Sequence, residues 1–188
     1  MTGPRPNPGS AGRGMMTSME RETQQDRLGR EAFISLLVTS RQFDEQIEQV
    51  CRAEGISHPQ YTVLWVLCLA DAPDGLPMGA LADGLLTRSA DATRLVDRLL
   101  AAGHVTREPS PGDRRVVLVA PTEQGLRLFD RLTAEIKALH RRQWGALDED
   151  ELREVIRLVN KARFAGVPGN PANDDGSYPQ TTVSRRAE

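Results

Sequence analysis

The middle of the chain carries arginine side chains without any lysine. Residues 76–121 contain six basic residues, all arginine, against five acidic residues. The six are Arg88, Arg94, Arg98, Arg107, Arg114 and Arg115. A guanidinium group presents a flat fork of donors that suits bidentate contacts with phosphate or guanine and fits a narrow minor groove. This cluster favours nucleic-acid binding, although the whole chain has a net charge of −2.

Two of these arginines stand beside a carboxylate in a turn with the sequence PSPGDRR, over residues 109–115. We expect an ion pair between Asp113 and one neighbouring arginine to hold the turn in one shape while the other guanidinium projects outward. The alternative is an ordinary exposed turn, whose surface salt bridge contributes about 0–1 kcal/mol.

Residue patterns for catalysis or metal binding are missing from the sequence. The three histidines are scattered without a second ligand at helical spacing, and no phosphate-binding loop or nucleophile elbow occurs. We therefore expect no enzyme activity, no catalytic residue, no metal and no cofactor. Of the two cysteines, Cys68 lies in an apolar helix and is expected to be inert, whereas Cys51, next to Arg52, is a candidate for oxidant sensing.

The chain ends differ in composition from its middle. Residues 1–25 and 166–188 are rich in Pro, Gly and polar residues, which predicts a disordered arm and a disordered tail. The folded domain is predicted to span residues 26–165. No apolar run has the roughly 18 residues that a membrane span needs, and no signal peptide is evident, so we expect a cytoplasmic protein without membrane contact.

Apolar spacing predicts four helices in the first part of this domain. The first ends near Gly55, and the second, Gln60–Leu69, is apolar around almost its whole circumference and should lie in the middle of the core. Pro77 is predicted to be the first residue of a short third helix. The fourth is capped by Thr87 or Ser89 and stopped by Gly103. Its predicted inner face is Ala92, Leu95, Val96 and Leu99.

A β-hairpin follows, with predicted strands Val105–Glu108 and Arg115–Ala120. Thr122 then caps a long fifth helix, whose predicted apolar stripe is Leu126, Phe129, Leu132, Ile136 and Leu139. Asp148 and Glu151 predict a capping box for a sixth helix, with Leu152, Val155, Ile156 and Val159 on its apolar side. The fold class is therefore mainly α with a small β-hairpin wing.

A short helix, a turn, a second helix and a hairpin are the parts of a winged helix-turn-helix. The second helix of the pair can enter the major groove, and the hairpin can reach the backbone or the minor groove. The polar side of the fourth helix then supplies contacts with DNA. Its candidates are Arg88, Ser89, Thr93, Arg94 and Arg98, which on an ordinary helix would be only a solvated face.

Five segments, in this order, resemble the MarR family of regulators. They are GALA (79–82), TRLVDRL (93–99), AGHVTR (102–107), GDRRV (112–116) and LVAPTEQG (118–125). The similarity extends over roughly residues 26–163. It implies an obligate homodimer, with a DNA-binding core at about 57–121 and dimerisation helices at about 26–54 and 122–164. It also implies that Asp113 braces an arginine and that Arg115 enters the minor groove with Arg114 alongside.

The sequence departs from the family pattern at Gly84, which is unusual in the third helix, and at Asp91, which puts negative charge near the groove. Asp97 is common in the family and is expected to pair with an arginine. Independently of the family, the apolar stripes of the first, fifth and sixth helices exceed what one small module can cover, which favours a dimer over an intramolecular bundle.

The resemblance implies a repressor that binds a palindromic operator of double-stranded DNA and is released by a small aromatic or phenolic effector. Phe33, Tyr61 and Trp65 are candidates for the effector pocket, although aromatic residues at helical spacing often belong to the core. The alternative function is a winged-helix protein-interaction module that no longer binds DNA. Such a module would not need the Asp113–Arg114–Arg115 tip, so the tip favours the regulator.

Overall fold

The computed structural model describes residues 23–70, 72, 74–85 and 89–165, in two compact units that divide between Asp44 and Glu45. Its helices are α1 (Gln24–Ala53), α2 (His58–Leu69), α3 (Met78–Gly84), α4 (Ser89–Ala101), α5 (Glu123–Gln143) and α6 (Glu149–Arg163). Its strands are β1 (Leu76–Pro77), β2 (Val105–Pro109) and β3 (Val117–Pro121). The mainly helical fold with a small antiparallel sheet confirms the predicted fold class. None of the described helices is long and apolar enough to cross a membrane.

Helix α2 lies at the centre of the core, as its apolar circumference predicts. Val63 and Leu64 are fully buried, and the helix packs against α3, α4, α5 and β3. It begins two residues before the predicted start because Ser57 caps it. The Ser57 hydroxyl accepts from the Gln60 N–H, and the Gln60 amide oxygen accepts from the Ser57 N–H. This capping box satisfies donors that would otherwise be left at a partly buried helix end.

Helix α4 buries one face and exposes the other. Ala92, Val96 and Leu99 are fully buried, as predicted. Gly103 ends the segment with a φ of 75°, which a residue with a side chain rarely adopts. Helix α3 approaches α2 closely at Gly84, where a Cβ would lie 3.0 Å from Cγ1 of Val66. Close packing of these two helices therefore accounts for a glycine that is unusual in the family.

The sheet has the strand order β1-β3-β2, and the predicted hairpin is confirmed. Its first strand was missed in the sequence, because two residues are too few to show an alternating pattern. Leu76 pairs with Val119 and Pro77 with Leu118. The prediction that Pro77 is the first helical residue is wrong: its ψ of 141° is extended, and it precedes α3 at the N-cap position without a side-chain capping bond.

The predicted stripe of α5 is wrong at Leu126, which is 42% exposed. The buried residues instead follow the phase of Leu128, Leu132, Ile136 and Leu139. Both predicted caps are confirmed: Thr122 accepts from the Gly125 N–H, and Asp148 forms a capping box with Glu151. Helix α6 has no buried residue within the chain, and Ile156 is 60% exposed.

The unit that ends at Asp44 also exposes large apolar side chains. Six of them, all about half exposed or more, lie within eleven residues of α1: Leu28, Phe33, Ile34, Leu36, Leu37 and Val38. An apolar surface of this kind on a helix is typical of an interface with a further polypeptide.

We predict that Gly125→Ala destabilises the protein. Gly125 is buried in the first turn of α5, and a Cβ there would lie 2.0 Å from the carbonyl oxygen of His104. Because the obstacle is backbone, relief requires a shift of α5, at a cost of about 1–3 kcal/mol or more in the free energy of unfolding. Urea denaturation at one fixed protein concentration measures this cost.

Gly79→Ala is the matched control, since a Cβ at Gly79 meets nothing within 4 Å. It should leave the stability unchanged or raise it by up to about 1 kcal/mol. Equal urea midpoints for Gly125→Ala and wild type would show that α5 does not lie this close to His104.

Candidate nucleic-acid interface

The exposed face of α4 carries the side chains predicted to contact DNA. Thr93, Arg94 and Arg98 are all exposed, on the side of the helix opposite its buried residues. Ser89 is the first residue of α4. Arg88, also predicted as a contact, lies outside the described residues. The structure thus displays guanidinium and hydroxyl donors along a helix that is anchored by its other side.

An ion pair connects this helix to the wing. Nη1 of Arg107, on β2, lies 2.5 Å from Oδ1 of Asp97 on α4. Nη2 of the same arginine lies 3.8 Å from Sδ of Met78, the first residue of α3. The Arg107 side chain is 24% exposed, so water screens the pair less than a fully exposed one. Arg107 thus joins α4, β2 and α3.

This pair confirms the expectation that Asp97 binds an arginine. Arg107 was not among the predicted site residues, although a signal for it was present. Side chains two apart on a strand share a face, and Val105 is buried, so Arg107 had to point inward as well. Because Arg107 neutralises Asp97, this carboxylate no longer offsets the positive charge of the exposed face of α4.

The tip of the wing, residues 110–116, is closed by its own backbone. The Ser110 N–H donates to the Val116 carbonyl at 2.8 Å, and the Val116 N–H donates to the Asp113 carbonyl at 2.9 Å. Oδ1 of Asp113 accepts from the Arg115 N–H at 3.0 Å. These bonds keep Arg115 in the turn, which is why β3 begins at Val117 and not at Arg115.

Asp113 therefore stabilises the tip in a different way from the one predicted. Its carboxylate is bonded to backbone, and within the described chain it forms no ion pair with the guanidinium of Arg114 or Arg115. The carboxylate is drawn to the N–H that the turn directs toward it. Both guanidinium groups remain exposed.

Four arginines of this surface have no carboxylate partner in the part of the chain that the structure describes: Arg94, Arg98, Arg114 and Arg115. Several arginines of α5 and α6 do have one. Arg127 pairs with Glu123, Arg131 with Glu54, Arg153 with Glu149 and Asp150, and Arg157 with Glu154. The four guanidinium groups of α4 and the wing can therefore bind an external anion without first breaking an ion pair.

Of the residues predicted for an effector pocket, Tyr61 belongs to the core. It is 7% exposed, its hydroxyl lies 3.1 Å from Oγ1 of Thr133, and its ring stacks on Phe129 at a centroid distance of 6.0 Å. Burial raises the pKa of its hydroxyl. Trp65 is half-buried at the edge of the same core. Phe33 lies in the unit that ends at Asp44 and is 65% exposed.

The structure corrects the suggestion that Cys51 senses oxidants. Such a thiol must be accessible, and Cys51 is completely buried because it faces the core side of α1. Cys68 is partly exposed, but burial and, to a lesser degree, the charge of Asp130 raise its pKa to about 11. At neutral pH it is almost entirely protonated and a poor nucleophile. Across the described residues, no three side chains of metal-binding type gather into one group.

We predict that Asp97→Ala and Arg107→Ala each destabilise the protein by about 1 kcal/mol, the upper range for a pair that retains some exposure. The double variant should lose less than the sum of the two, because each single variant already removes the shared interaction. Urea denaturation of all four proteins completes the cycle. Additive losses would show that the two side chains do not interact in solution.

The MarR family model matches residues 54–116, which include α2 to α4 and most of the wing. The chain is 31% identical to the transcriptional regulator PapX of Escherichia coli over 117 residues, 61% of this chain and 71% of that protein. It is 29% identical to the transcriptional regulator PrsX, also of E. coli, over 126 residues, 67% of this chain and 75% of the relative.

Solved structures share the fold. A variant of MarR from E. coli in complex with operator DNA has a TM-score of 0.64 and 22% identity, covering 75% of this chain and 99% of that one. CouR from Rhodococcus jostii, bound to p-coumaroyl-CoA, has a TM-score of 0.64 and 24% identity, covering 73% and 95%. With the element order, the exposed arginines of α4 and the wing described above, these similarities show that the chain belongs to the MarR family of DNA-binding transcriptional regulators.

Proposed function

We propose that this regulator is a homodimeric repressor that binds a palindromic operator through α4 and the wing and is released by a small effector. We place its action in the cytoplasm and assign it no catalytic reaction. The observation that carries the proposal is the set of four exposed arginines, on α4 and the wing tip, without carboxylate partners among the described residues.

The operator contacts follow from the shapes of the two elements. An α-helix fits the major groove, where a guanidinium can bind guanine in a bidentate manner and a hydroxyl can bond several bases. We assign Thr93, Arg94 and Arg98 to this groove, together with Arg88 and Ser89. Arg114 and Arg115 at the wing tip are assigned to the phosphates and the minor groove, where a narrow A·T tract attracts arginine.

The homodimer is supported by the exposed apolar side chains of α1 and α6. Ile34 and Ile156 are 50% and 60% exposed, and they have large apolar neighbours on the same helices. Burying such side chains against a second copy contributes about 25 cal/mol for each Å² removed from water. A two-fold dimer then presents two copies of α4 to half-sites about 34 Å apart.

For the effector, we propose a small aromatic or phenolic compound. The support is the p-coumaroyl-CoA bound in the CouR structure, which is similar in fold. Tyr61 has no free hydroxyl to offer such a compound, since its phenol already bonds Thr133. Adding p-coumaroyl-CoA, or free phenolic acids, to the operator complex tests for release.

We predict that selection from a pool of random duplexes recovers a palindrome for the wild type, and that Arg115→Ala binds that palindrome about tenfold more weakly. Loss of one phosphate or groove contact should also reduce the dependence of log affinity on log salt by about one unit. Arg153→Ala is the control, because it removes the same charge from a side chain paired with Glu149 and Asp150.

Unchanged binding by the control alongside weakened binding by Arg115→Ala supports the assigned interface. If the wild type enriches no motif and binds no better than Arg115→Ala, the DNA-binding assignment is rejected, and a winged-helix module for protein partners becomes the better description.

We predict that Ile34→Glu and Ile156→Glu each shift the protein from dimer toward monomer in sedimentation velocity at micromolar concentration. A buried carboxylate in an apolar interface is costly unless it is paired. Val117→Glu is the matched control: Val117 is 39% exposed on β3, outside the predicted dimerisation helices. A wild-type protein that sediments as a monomer would contradict the dimer.

A further inference from the structure

The first turn of α5 is fastened to the turn between α4 and β2. The Thr122 N–H donates to the carbonyl of His104 at 3.0 Å, and the Thr122 hydroxyl donates to the carbonyl of Gly103 at 2.7 Å. The same hydroxyl accepts from the Gly125 N–H at 3.0 Å. One threonine side chain thus caps α5 and binds the preceding turn at the same time.

A hydrogen bond also connects this turn to α4. The His104 N–H donates to the carbonyl of Leu99 at 2.9 Å, and the φ of 75° at Gly103 reverses the chain at that point. Leu99 is fully buried in the core. An unbroken series of hydrogen bonds therefore runs from the last turn of α4 through His104 to the first turn of α5.

Close backbone contact also restricts the movement of α5 relative to this turn. The backbone of Gly125 lies so close to His104 that a Cβ would be 2.0 Å from its carbonyl oxygen and 3.0 Å from its carbonyl carbon. Because the Gly125 backbone already packs against the His104 carbonyl, α5 cannot move closer, and moving away would break the bonds of Thr122. Hydrogen bonds and close packing together hold α4 and α5 at one angle.

We propose that Thr122 and Gly125 are positioning residues for operator recognition, because this α4–α5 joint (Leu99, Gly103, His104, Thr122 and Gly125) sets the half-site spacing that the dimer accepts. The inference rests on the proposed homodimer, in which α5 belongs to the dimerisation helices and α4 lies in the groove. If the angle between α4 and α5 is fixed, the dimer interface determines the orientation of α4 in each protomer.

DNA geometry makes the spacing a sensitive measure of this rigidity. One added base pair moves a half-site by about 3.4 Å and rotates it by about 34° around the helix axis. A rigid dimer cannot follow that rotation with both recognition helices, whereas a dimer with a loosened joint can follow part of it. Loosening should therefore reduce the discrimination between spacings as well as the affinity.

The test compares wild type, Thr122→Val, Thr122→Ser and Ser57→Ala on the selected palindrome and on duplexes with one central base pair added or removed. Thr122→Val keeps the shape of the side chain but loses the bonds to Gly103 and Gly125, and Thr122→Ser keeps the hydroxyl. Ser57→Ala removes a cap of the same kind from α2, away from the joint. The measured quantity is the ratio of dissociation constants between duplexes, in which the folded fraction of each protein cancels.

For the wild type we expect the altered spacings to bind at least about tenfold more weakly, equivalent to about 1.4 kcal/mol. In Thr122→Val this ratio should fall to about threefold or less, while Thr122→Ser and Ser57→Ala keep the wild-type ratio. A wild-type ratio in Thr122→Val overturns the positioning role alone and leaves the homodimer intact. A wild type indifferent to spacing overturns both the homodimer on a palindrome and the joint built on it.

Discussion

Residues 60–69 of helix α2 are all buried or half-buried, and this imposes the arrangement of the other elements of residues 45–165. Its apolar side chains can leave water only if neighbours cover every side, and α3, α4, α5 and β3 do so. Each of these neighbours packs one of its faces against α2. The functional groups are therefore confined to the faces that remain. The capping box of Ser57 and Gln60 satisfies the partly buried N-terminal end of α2.

Helix α4 shows how this constraint creates the candidate interface. Ala92, Val96 and Leu99 face the core. Thr93, Arg94 and Arg98 face solvent, because no other described element of residues 45–165 covers the opposite side of this helix. Asp97 lies on the same exposed side, but Arg107 neutralises it and links the helix to the wing. Although the whole chain is nearly neutral, its charges are neutralised in individual ion pairs. The arginines of α4 and the wing tip form no such pair with the described carboxylates.

Much of this arrangement followed from local patterns. The six helices, the hairpin and the caps at Thr122 and Asp148 were predictable because spacing and capping act between residues a few positions apart. The errors have non-local causes. Strand β1 exists only because β3 offers Leu76 and Pro77 an edge to pair with, Cys51 is buried by packing around α1, and the inward stripe of α5 includes Leu128 in place of Leu126 because the core lies on that side.

The sequence alone determined the order of the six helices and the hairpin, the arginine-rich face and the wing motif, because hydrophobic period, turn residues and guanidinium groups are properties of short segments. Tertiary contacts were needed to pair Asp97 with Arg107, to bind the Asp113 carboxylate to the backbone of Arg115, and to place Gly125 against His104. Each of these joins groups whose approach depends on where the core has put their backbones. A long-range partner is selected by distance and direction in the folded chain, which residue types alone do not specify.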